Sequence, residues 1–98
     1  MTIYQLILQK QLLGTLTLVR VDQPFFYCHF EPTGLFLEQY SALFQQLLDY
    51  SAQDQVDQQI ALQDQLLDQG LHLKGVGTII HDFSLLIDLK NKIAWYRY

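Results

Sequence analysis

Between Thr33 and Gly70 the chain changes its hydrophobic period, and that change limits the possible folds more than any other feature of the sequence. On either side of this stretch apolar residues recur at about every second position, the spacing of a strand. Within it they recur every third and fourth position, the spacing of a helix.

The first half of the stretch, TGLFLEQYSALFQQLLDY, carries the clearest periodicity. At about 100° per residue, Phe36, Tyr40, Leu43, Phe44, Leu47 and Tyr50 share an arc of roughly 120°, with Glu38, Gln45 and Asp49 opposite. Thr33 follows Pro32 and is placed to cap the first turn. In the second half, Ser51 with Asp54 three residues later resembles a capping box with a shorter acid, so a new helix is expected to start there. Its apolar residues Val56, Ile60, Leu62, Leu66 and Leu67 spread over about 160°, with Gln59 and Gln63 inside the arc. Gly70 is suited to the left-handed residue that ends it. The two helices are predicted over about 34–50 and 52–69.

Before the helices, Ile3–Gln9 and the cleanly alternating Thr15–Asp22 form a predicted hairpin whose connection of about four residues Gly14 closes. Gln23-Pro24 interrupts the ladder. Phe25–Glu31 is a third strand, with Phe26, Cys28 and Phe30 on the core face and Phe25, Tyr27, His29 and Glu31 on the other. After the helices come a short strand at Leu71–Leu73 and a tight turn at Lys74–Gly77. Thr78–Leu89 then reads as one long strand or two joined by a bulge, with Ile79, His81, Phe83, Leu85, Ile87 and Leu89 on one face. Lys90-Asn91 turns the chain into a final strand, IAWYRY. These last strands form a predicted local meander. The expectation is a single α+β domain over 1–98, in two layers. An antiparallel sheet of five or six strands carries both helices on one face, in the order β-β-β-α-α-β-β-β.

Composition narrows the function classes. Ninety-eight residues, half of them apolar, suffice for one core. No apolar run approaches the roughly 18 residues of a membrane span. The opening MTIYQLILQKQLLG has no basic start and no small-residue cleavage site, so it reads as a strand and not as a signal peptide. The single cysteine, Cys28, excludes an internal disulfide and suits a reducing, cytoplasmic setting. A formal charge of −4 argues against nucleic acid or an anionic membrane as partner.

That charge is unevenly placed. Residues 1–48 carry Lys10 and Arg20 against Asp22, Glu31 and Glu38, for −1; residues 70–98 carry Lys74, Lys90, Lys92 and Arg97 against Asp82 and Asp88, for +2. Residues 49–69 hold Asp49, Asp54, Asp57, Asp64 and Asp68 with no base, for −5. On a helical wheel Asp54, Asp57, Asp64 and Asp68 fall within roughly 80°, nearly opposite the apolar arc. Asp64 and Asp68 repel one another at i,i+4, and Asp68 lies at the dipole end that disfavours an anion. A helix selected for stability alone would carry lysines there. The four aspartates are therefore the candidate docking site for a basic protein, against the plainer reading of a solubilising face.

Other chemistry is weakly encoded. Cys28 and His29 are neighbours on a strand and so point to opposite faces, which separates a nucleophile from its base. His72, His81 and Asp82 match no zinc spacing, and no metal or cofactor is expected. Gly70, Gly75 and Gly77 lack the lysine and the following helix of a phosphate loop. Tyr96 and Tyr98 share one strand face opposite Trp95, and Phe25 and Tyr27 share another; if left uncovered, these faces offer a surface for self-association.

Several landmarks together resemble a group of short, uncharacterised bacterial proteins of about this length. They are Asp22-x-Pro24-Phe25, Glu31-Pro32-Thr33, Leu43-Phe44, Gly70-Leu71-His72-Leu73, and Leu85-Leu86-Ile87-Asp88 followed by Ala94-Trp95-Tyr96-Arg97. The likeness covers residues 22–98, with Phe25-Phe26 where the group has a tryptophan. It implies the strand–helix–helix–strand order and brings no activity or site residues with it. The function expected from the sequence is a cytoplasmic, non-catalytic interaction or accessory module, of inhibitor or immunity type, docking a basic partner through the acidic helix. The alternative is a small-ligand binder or enzyme whose pocket lies between helices and sheet, marked by convergence of His29, His72 or His81.

Overall fold

Thr33 caps the first helix as its position predicts. The Phe36 N–H donates to Thr33 Oγ1 at 3.3 Å, and that hydroxyl lies 2.9 Å from the Leu12 carbonyl oxygen, tying the helix start to a strand. The computed structural model, which describes residues 2–98, has strands β1 (Ile3–Leu8), β2 (Gln11–Asp22) and β3 (Phe25–Pro32) before the helices. A π-helical turn over Phe36–Tyr40 runs into α1 (Ser41–Ala52), followed by α2 (Val56–Asp68). Strands β4 (His72–Gly75), β5 (Thr78–Ile80), β6 (Ser84–Asp88) and β7 (Ile93–Arg97) complete the chain.

The sheet is antiparallel and has seven strands, not five or six, in the spatial order β5-β4-β1-β2-β3-β7-β6. The C-terminal strands do not form the expected meander. The hairpin β4–β5 adds to β1, whereas β6–β7 adds to β3, so β5 and β6 occupy opposite edges of the sheet. Only residues 81–83 connect them. Four residue steps reach at most about 14 Å, whereas seven strands laid flat would spread over about 29 Å. The sheet is therefore curled, its two edges drawn together by a three-residue strap.

The strap also resets the side-chain parity. Ile80, not Ile79, pairs with Leu73 on the inner row, leaving Ile79 and His81 exposed while Phe83, Leu85 and Ile87 are buried. A second correction concerns the first hairpin. Its turn is two residues, Gln9 and Lys10, both at positive φ (52° and 65°), and Gly14 lies inside β2. A Cβ on Gly14 would fall 2.8 Å from the Glu31 carbonyl oxygen and collide with the Phe30 ring.

The concave face holds the core: Leu6, Leu16, Phe30, Leu73, Leu85 and Tyr96 are all buried. Both helices contribute to this same core. Phe36 meets Phe30 edge-on at 5.1 Å and Phe44 at 5.4 Å, with Leu47 and Leu66 fully buried beside them. The convex face keeps Tyr27 and Trp95 half-buried, stacked at 6.3 Å, with the Arg20 guanidinium 4.3 Å above the Tyr27 ring.

Candidate docking face on the second helix

The second helix does not start at Ser51. Ser51 remains inside α1, and the expected capping box is replaced by a left-handed stop. Gln55 N–H donates to Tyr50 O at 2.8 Å and Asp54 N–H to Ser51 O at 3.2 Å, the two bonds of a Schellman motif. Asp54 is its left-handed residue, at φ 59°. The same motif ends α2, with Leu71 N–H on Leu66 O at 3.1 Å, Gly70 N–H on Leu67 O at 2.9 Å, and Gly70 at φ 95°. Of the four candidate aspartates, Asp54 thus lies in the connector and only Asp57, Asp64 and Asp68 lie on α2.

On α2, 100° steps place Asp57, Asp64 and Asp68 within about 40° of arc. All three are exposed, as is Asp54. Among the described residues the ion pairs belong to Glu31, which lies 3.4 Å from His29 Nε2 and 3.8 Å from Lys92 Nζ. None of the four aspartates has a cationic partner within that set.

Beside the acidic ridge runs a second one that the sequence assigned to the core. Val56 and Ile60 are 52% and 53% exposed, while Gln59 is half-buried and Gln63 is 7% exposed. The helix is rotated so that a glutamine, not the apolar pair, faces inward. That glutamine meets the sheet edge. Gln63 Oε1 accepts the Leu85 N–H at 3.2 Å, supplying the acceptor that the edge strand β6 lacks. Gln63 Nε2 is buried without a partner. Helix α2 thus meets β6 through Gln63, while α1 makes the broader approach to that strand, and Val56 and Ile60 line a groove with Phe25, Leu86, Trp95 and Arg97 from the convex side of the sheet. Its volume is about 420 Å³.

His72 and His81 come together, whereas His29 lies on β3, three strands away from β4. His29 is exposed on the convex face against Glu31, and His72 donates from Nδ1 to the Gly70 carbonyl oxygen at 2.8 Å. The His81 ring lies 5.6 Å from the His72 ring, and neither histidine lines the groove beside α2. Among the described residues no three histidine, cysteine, aspartate or glutamate side chains gather as a metal-binding group. Cys28 is buried in the core and burial pushes its thiol up from 9.0 to about 11, the opposite of what an activated nucleophile requires. Tyr96 is core, not surface, and burial together with the nearby Tyr4 phenol raises its pKa. No helix among the described residues is long and apolar enough to cross a membrane.

Comparison with protein-family models, with curated proteins and with solved structures gave no match to this chain.

Proposed function

We propose that this protein is a non-catalytic interaction module that docks a basic protein partner through the acidic face of α2 and its leading turn. The observation that carries the reading is the isolation of charge: Asp54, Asp57, Asp64 and Asp68 are exposed with no lysine or arginine on α2 and no ion-pair partner among the described residues. Unneutralised like charges held on one rigid element cost a little stability and raise the rate at which an oppositely charged surface is captured. The buried Cys28 thiol, held protonated and away from any histidine on its own face of the strand, supports the non-catalytic part of the reading.

A photo-crosslinker placed at Ala61, exposed beside the aspartates, tests this in the native cell. The expected adduct is to a protein with a basic surface and is missing when the crosslinker is moved to Gln45 on α1. Equal adducts from both positions, or none from Ala61, contradict the proposal.

A further inference from the structure

The reading of α2 as an acidic docking face leaves Val56 and Ile60 unexplained. Two apolar side chains, half exposed and one turn apart, lie on the ridge immediately beside Asp57 and Asp64. Across from them are Leu86 and Trp95 of the convex sheet, with Phe25 and Arg97 at the groove's limits. A space of about 420 Å³ accommodates roughly two or three aliphatic side chains at interior packing density.

We infer that this groove receives the apolar face of a basic amphipathic helix, so that the partner's anchors enter between Ile60 and Trp95 while its lysines or arginines lie along Asp57, Asp64 and Asp68. Three features select this occupant. Strand addition is obstructed here, because Gln63 already occupies the outward N–H of Leu85 and α1 packs beside β6. Filling must therefore come from side chains, and the one-turn spacing of Val56 and Ile60 matches the i, i+3/i+4 ridges of a helix laid alongside. Charge decides the partner's flank: the groove is bordered by the aspartate ridge on the α2 side, whereas Arg97, the cation at the sheet side, lies 6.0 Å from the Phe25 ring. A helix with cations on one flank only is the complement of that asymmetry. The inference rests on the acidic-face proposal and adds the apolar half of the interface.

Trp95 is the only tryptophan and lines the groove, so its fluorescence reports occupancy directly. The probes are three synthetic peptides of about 18 residues, long enough to be helical when bound. One carries a leucine stripe flanked by lysines, one has serines in place of the leucines, and one has glutamates in place of the lysines. The leucine–lysine peptide is expected to shift Trp95 emission and to bind at least about tenfold more tightly than the serine–lysine peptide. That preference should be lost in Ile60→Ser, an exposed position whose substitution leaves the core intact. If the serine–lysine peptide binds equally well and Trp95 emission is unmoved, the groove is overturned while the acidic face stands. If the leucine–glutamate peptide binds as well as the leucine–lysine one, the basic partner is overturned. Absence of binding by every peptide contradicts both proposals.

Discussion

Gln63 Oε1 accepts a hydrogen bond from the Leu85 main-chain N–H at 3.2 Å, joining the middle of α2 to the outermost strand of the sheet. This contact and the burial of Leu66 share one face of the helix. With Gln63 turned inward, Leu62 and Leu66 approach the core, Val56 and Ile60 face the groove, and the aspartates are carried out to solvent. Replacing Gln63 with alanine leaves the Leu85 N–H unpaired, at about 1–3 kcal/mol, but also removes the orphaned Nε2, so the net loss is smaller than that. Hydrogen exchange resolves the cause, since the Leu85 amide should lose protection beyond the global change. A Leu85 amide that exchanges no faster than the loss of global stability dictates contradicts this.

Asp54 makes a prediction of opposite sign to its neighbours. At φ 59° it holds a conformation that suits glycine, so Asp54→Gly should raise stability by several tenths to about 1 kcal/mol. Asp57→Gly, in the first turn of α2 where the helix dipole favours an acid, should lower it by up to about 1 kcal/mol. Urea unfolding of the two variants reads the sign directly, and equal effects would contradict the left-handed stop between the helices.

How far these features are legible in the sequence differs from one to the next. The first helix is plain because a single uninterrupted apolar arc, Phe36 to Leu47, matches a single buried face. Gly70 is equally plain, since glycine at a helix end has few other uses. Gln63 is not, because glutamine in an exposed-looking helix reads as solvent face until the unpaired edge of β6 is known. The split between β5 and β6 is also hidden. Alternation continues unbroken through His81 and Phe83, so nothing local reports that three residues have become a strap and that the inward parity has changed. Of the candidate site, the exposure of the aspartates followed from helical spacing. The groove did not, because it combines α2 with strands from the far end of the chain and from β3.

Alkaline pH tests the core placement of Cys28. Burial raises the folded thiol from 9.0 to about 11, so the unfolded chain releases this proton first. The stabilising contribution is complete below pH 9 and is lost as the pH rises towards 11, by about 2–3 kcal/mol in total. Tyr96 is raised mainly by burial and in part by Cys28, so the comparison of wild type with Cys28→Ala reads the thiol together with its effect on Tyr96. The stability advantage of the wild type over Cys28→Ala should shrink across that window. Parallel curves from pH 8 to pH 11 would place the thiol in water instead.

The central claim is that the acidic face of α2 binds a basic protein. Affinity purification from the native cell, run with the wild type and with the Asp57→Asn, Asp64→Asn double variant at low salt and at 1 M salt, addresses it most directly. At about 1 M the screening length falls to about 3 Å. The account predicts a partner with a basic surface that the wild type retains at low salt, releases at high salt, and that the double variant does not retain at either. A partner held equally by both proteins and indifferent to salt would contradict it.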